Sequence, residues 1–266
     1  MHIGCGLILL SGLYPFWHAW QANRQTTLRP ALLWALAAWA VWLAVVSSAG
    51  DSQLLRYLAL SLTGCAGVAV LGARRPGVGA WHFVVVGFLA VLLLPVAQGL
   101  GQPRLQPTHL IFLGAGLAVT LLNYLPTRFA LAVLVFGAAC AIEILQLAGV
   151  TLPEWLQAPG QLLAAISPWV ALILAHRNDK HLSEVDRVWL SFRDRFGGVW
   201  GLRQQDQLNR AAANAGWPVI LTWQGMRYNG VGTPPSTVEL LALLRSVLKR
   251  FGLDKVDAKT VSPRAG

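Results

Sequence analysis

Apolar residues come in long blocks separated by short polar punctuation. Blocks of about 20 mostly apolar residues are what a bilayer-crossing helix requires. The pattern predicts seven, at 3–20, 31–49, 57–73, 80–99, 109–126, 129–148 and 161–176. The separators, such as "QANRQTTLRP", "RRPGVG" and "GQPRLQPT", supply Pro, Gly or Arg where a span must stop. The linker Pro126–Arg128 is so short that the fifth and sixth blocks must form a tight antiparallel hairpin.

After residue 176 the period changes. Leu182, Val185, Trp189, Phe192 and Phe196 recur at steps of three and four, an amphipathic helix with one aromatic face. Ser183 with Asp186 resembles an N-terminal capping box, and Gly197–Gly198 predicts the end of that helix. A second helix is expected over Val199–Ala215 and a strand in "WPVILTW", with "YNGV" able to close a hairpin. The last helix opens on a capping box, Ser236 with Glu239. It carries Leu240, Leu241, Leu244, Val247, Leu248 and Phe251 on one face and stops at Gly252. The expected fold is therefore an all-α multi-pass membrane protein. About seven transmembrane helices (1–176) precede a small C-terminal α+β cytoplasmic domain (177–252) and a flexible tail (253–266).

Charge sets the expected orientation. Lys and Arg resist translocation, so loops that carry them stay in the cytoplasm. With the N-terminus outside, the inner loops hold Arg24, Arg29, Arg74, Arg75 and Arg128, followed by the basic tail. The outer loops hold only Arg56 and Arg104, with Asp51 and Glu154. The expected location is the cell membrane, N-terminus out and C-terminus in. Trp17, Trp20, Trp81 and Trp155 mark span ends, where an indole keeps its ring apolar and its N–H wet. Trp34, Trp39 and Trp42 read as lipid-facing or packing groups. Gly64, Gly67, Gly114, Gly116 and Gly137 read as points where helix backbones approach.

Composition adds exclusions. The chain is 55% hydrophobic and 12% charged, about half the charge of a soluble domain. Its net charge of +10 is explained by cytoplasmic loops and a tail with interleaved acids, not by nucleic-acid binding. Cys5, Cys65 and Cys140 all fall in apolar blocks without CxxC spacing, so no metal or redox role is expected. His18, His82 and His176 near the inner boundary read as interfacial residues in preference to haem ligands. "GDS" at 50–52 lacks the strand–turn–helix setting of a hydrolase nucleophile. No catalytic residue and no cofactor is expected.

Two groups remain as candidate sites. Glu143 is the single acid inside a clear apolar block, with Gln146 one turn on. His109 is expected at a similar depth, and the three together form a possible outer polar or ion site. Trp189, Phe192 and Phe196 form a face that must pack on a partner or on the bundle. The leading expectation is a membrane-anchored structural or accessory subunit whose cytoplasmic domain docks a protein partner. A small solute or ion transporter using the Glu143 site is the alternative, and a membrane-embedded lipid-processing enzyme the third reading.

Overall fold

The computed structural model describes residues 2–48, 52–73, 80–99, 105–177, 182–230 and 234–253, and the side chains of 2–5, 80 and 154–159 are outside that description. Asp51, Arg74, Arg75, Arg104, most of the "GDS" segment and the expected flexible tail from 254 on lie outside the described residues. So do the side chains of Cys5, Glu154 and Trp155.

The chain is mostly helical. Helices α1 (His2–Ser11), α2 (Leu13–Asn23), α3 (Arg29–Ser47), α4 (Gln53–Leu71), α5 (Ala80–Gln98), α6 (Pro107–Tyr124), α7 (Ala130–Leu147) and α8 (Glu154–His176) make up the apolar portion. Among the described residues, five are long and apolar enough to cross a membrane: α3, α4, α5 from Trp81, α6 and α7. The first expected span is instead two short helices, α1 and α2, meeting at Gly12. A β-carbon at Gly12 would press on the Trp39 indole, so the joint sits where α3 crosses closest. The seventh expected span is the apolar stretch Gly160–His176 of α8. Large apolar side chains stay exposed on these helices, among them Phe83, Ile111, Leu134 and Ile173. This arrangement is compatible with a membrane protein, because a bilayer covers such side chains where water would not.

Within the bundle α3 packs most extensively on α4, and α7 on α8. Small residues set the close crossings. A β-carbon at Gly67 of α4 would overlap Thr120 of α6, and one at Gly116 would press on Phe88 of α5. Buried tryptophans find acceptors: Trp39 Nε1 donates to Leu9 O (3.0 Å) and Trp42 Nε1 to Thr63 Oγ1 (3.3 Å). Both are interior packing groups and not lipid-facing ones.

The C-terminal segment holds α9 (Glu184–Asn214), a hairpin of β1 (Val219–Thr222) and β2 (Gly225–Tyr228), α10 (Thr237–Leu248) and a 3₁₀ turn, Lys249–Phe251. Gly197 breaks α9 without ending it. At φ 79°, ψ −171° it inserts one non-helical residue, and the helix resumes at a new angle. The hairpin closes at Trp223–Gln224 with Thr222 opposite Gly225, so "YNGV" is not its turn. Two contacts fix that register. Thr222 Oγ1 donates to Gly225 O (2.7 Å), and Met226 N donates to the Asp186 carboxylate (2.6 Å). Both parts of the Ser236–Glu239 capping box are present, and Gly252 (φ 75°) ends the 3₁₀ turn in the left-handed conformation.

This segment does not bury its apolar faces alone. One continuous core joins Trp189, Phe192, Phe196, Leu244 and Phe251 to Leu28, Ala31, Cys65, Ala69, Val70 and Val85 of the bundle. A segment of about 75 residues sits near the lower limit for an independent core, and sharing one relieves that limit.

Candidate functional site

Trp189, Phe192 and Phe196 are all fully buried. Phe192, Phe196 and Phe251 form a closed cluster with ring centroids 4.9 Å apart, and Trp200 joins Phe251 at 5.5 Å. Of the two coverings expected for this face, partner or bundle, the chain's own residues supply one. Trp200 Nε1 donates to Val70 O of α4 (3.1 Å), and Thr27 N donates to Phe251 O (3.2 Å).

A polar clasp holds the same joint from the other side. The turn between α6 and α7 inserts at the α9 kink. Asn123 Oδ1 accepts from Val199 N (2.9 Å), and Tyr124 OH donates to Arg195 O (3.0 Å). Trp223 Nε1 donates to Pro126 O (2.6 Å). Asp194, almost fully buried, receives Arg128 Nε on one oxygen (2.7 Å) and Arg193 on the other (2.7 Å). Arg193 reaches on to Trp223 O (2.7 Å) and lies over its ring. Both carboxylate oxygens are thus engaged, as a buried charge requires.

A cavity of about 570 Å³ opens beside this clasp. Its walls come from α2, α3, α4, α6, α7 and α8, and Ser191, Asp194 and Arg195 of α9 also line it. Its lining is mostly apolar and mixes small residues such as Ala35, Gly67 and Ala171 with Trp39, Trp42 and Phe136. The deep members, including Ala38, Trp42 and Gly67, are buried. His18, Arg128 and Ala175 are its exposed members. Arg128, in the α6–α7 turn, is bonded to Asp194 of α9, so the cavity opens beside that segment. Helices α7 and α8 meet where Gly160 approaches Ile142 and Glu143, and both line the cavity at their other ends.

The polar group of α7 sits elsewhere. Glu143 is buried at 1% exposure. Its Oε2 lies 3.5 Å from Arg56 Nε of α4, and Arg56 also donates to Gln146. Arg56 takes the position next to the carboxylate that a bound cation would occupy. His109 does not join them: its Nδ1 accepts from Gln106 N (3.1 Å) and caps α6. The His18 ring, midway along α2, meets the His176 ring, at the end of α8, in a tilted contact with centroids 5.1 Å apart. Rings in direct contact leave no space for a macrocycle between them. Among the described residues, no group of three or more His, Cys, Asp or Glu side chains is placed to hold a metal ion.

Sequence reasoning did not single out Asn123 or the cavity, and it placed Arg56 and Arg128 only as loop charges. Periodicity put Arg193 and Asp194 on the solvated face of the helix, whereas both are buried, because the α6–α7 turn covers them. One signal for the cavity was present: Ala31, Ala35 and Ala38 fall at steps of four and three on α3, a stripe too thin to fill an interhelical space. Searches of protein-family models, curated proteins and solved structures give no match to this chain.

Proposed function

We propose that this protein is a membrane-integral amphiphile-binding protein. The bundle holds the apolar part of a lipid-like molecule, and the C-terminal segment closes over its polar end. The observation that supports this reading is the cavity itself. Helix interiors are close-packed, with few voids larger than a water molecule. A cavity of about 570 Å³ lies within the range of small-molecule sites, roughly 300–1,000 Å³. Its lining changes from apolar to charged along its length, as a lipid does. The C-terminal segment then acts as part of the site, because α9 supplies the charged end.

The same reading gives the topology. We take α1–α2 as the first crossing and α8 as the seventh, with the C-terminal segment facing the cytoplasm and the cell membrane as location. Arg24 and Arg29 (beside the Phe251 turn) and Arg128 lie on the side of that segment, as the positive-inside bias demands, while Arg56 lies at the opposite end of α4. Alkaline phosphatase fused to the C-terminus should be inactive. Activity there would reverse the orientation.

Photolabelling tests binding. A C16 amphiphile carrying a diazirine near its chain end is added to the full chain in lipid nanodiscs, and adducts are mapped by mass spectrometry. Labelling is expected on cavity-facing segments of α3, α4 and α8. Ala35→Phe and Ala171→Phe, which fill the shaft, should suppress it. Adducts confined to lipid-facing residues such as Phe83, Ile111 and Ile173, unchanged in the filled variants, would overturn the proposal.

A further inference from the structure

We infer that the cavity, read as an amphiphile site, selects a molecule with an anionic head, a carboxylate or a phosphate. This rests on the binding reading above and adds the ligand class.

The observation that carries it is the chemistry at the α9 end, where the charged lining residues are Arg128, Arg195 and Asp194. Asp194 offers little to a cationic head. Its Oδ1 is held by Arg193 and its Oδ2 by Arg128. Arg128 spends its Nε on that bond. Its two η nitrogens carry four of the five guanidinium N–H donors, and they make no protein hydrogen bond among the described residues. A planar fork with donors to spare is matched by the paired oxygens of a carboxylate or phosphate. Tyr124, Ser191 and Asn23 complete the polar rim with neutral groups. The exposed position of Arg128 and His18 lets a head group reach the rim from the membrane surface while its chain enters the shaft.

The test is a competition series against the photolabelled cavity adducts in nanodiscs of zwitterionic lipid. Palmitate, hexadecyl phosphate, hexadecanol and hexadecyltrimethylammonium share a chain length and differ in head charge. The two single-chain anions should displace the probe at least about tenfold better than the alcohol or the cation, the size of one charge-assisted hydrogen bond. The better of the two anions identifies the head group. Ser191→Asp adds a negative charge at the rim without touching the clasp and should erase the anion preference. Arg128→Gln should do the same, with Ser191→Asp as the control if clasp loss unfolds the segment. Equal competition by the alcohol or cation would overturn this inference while leaving amphiphile binding intact. Failure of every competitor to reduce cavity adducts would overturn both.

Discussion

The side-chain amide of Asn123 lies against the Gly197 backbone with no room for a β-carbon between them. Asn123 Nδ2 donates to Phe196 O (3.4 Å) while its Oδ1 accepts from Val199 N (2.9 Å), so one side chain serves both edges of the kink. The break in α9 frees backbone groups that an unbroken helix would have paired. Asn123 replaces those lost partners. Kink and α6–α7 turn are therefore one structural unit, and the C-terminal segment is held at the rim of the cavity by it.

Gly197→Ala should be strongly destabilising. The backbone there (φ 79°, ψ −171°) lies in a region essentially reserved for glycine, where another residue costs about 1–3 kcal/mol before any clash. Overlap with Asn123 adds to that. The expected result is earlier unfolding in detergent and faster proteolysis between 177 and 252. Gly216→Ala, which also has positive φ but meets nothing within 4 Å, should cost less. Equal effects would mean that the Asn123 contact contributes nothing.

Asp194→Ala should cost about 3–5 kcal/mol, the usual penalty for leaving buried charge unpaired. Arg193 is left behind with 11% side-chain exposure, whereas Arg128, at 36%, can turn to solvent. Arg128→Ala should accordingly cost less than Arg193→Ala. A double-mutant cycle by thermal unfolding measures both couplings, and a coupling below about 0.5 kcal/mol for Arg193–Asp194 would contradict the role given to it.

Acid should weaken the α10 cap. Ser236 N and Oγ both donate to Glu239 Oε2 (2.8 Å each), and these bonds hold the Glu239 carboxyl below its ordinary value. A depressed folded pKa means the stabilisation is complete above the unfolded value, about 4.3, and is lost as pH falls through the lower folded one. The stability gap between wild type and Glu239→Gln should be constant near neutrality and shrink on acidification below that range. A gap that stays the same in acid would show that the ionised carboxylate is not what the cap uses.

Much of the fold was legible because its signals are local. Periodicity gave α9, the Ser236–Glu239 box gave the start of α10, and Gly216 and Gly252 gave helix ends. The turn of the hairpin was misread because Asp186, 40 residues away from Met226 in sequence, fixes it. Local turn propensity favoured Asn229–Gly230 and had no access to that bond. Helix spacing puts Glu143 and Gln146 on one face, but the residue both of them meet, Arg56, sits 87 residues before Glu143 on another helix. The cavity was invisible for the same reason. A void is a property of how faces fail to meet, and alanine spacing on one helix does not say what stands opposite.

Arg56 and Glu143 should prove strongly non-additive. The pair braces α4 against α7 in a low-dielectric setting, with Gln146 taking a further Arg56 donor. Removing one partner strands the other, so Arg56→Met and Glu143→Leu should each destabilise by about 3–5 kcal/mol. Replacing both removes two desolvated charges together and fills the space with apolar groups of similar size. The double variant should be near wild type or more stable. Thermal unfolding of all four proteins in one detergent decides the matter. If the double variant loses as much as the sum of the singles, the two charges act independently and the brace does not exist. If it retains stability, the buried ion pair is dispensable for the fold, and amphiphile labelling of the same double variant then shows whether the distant cavity depends on it; unchanged labelling is expected, because Arg56 and Glu143 do not line the cavity.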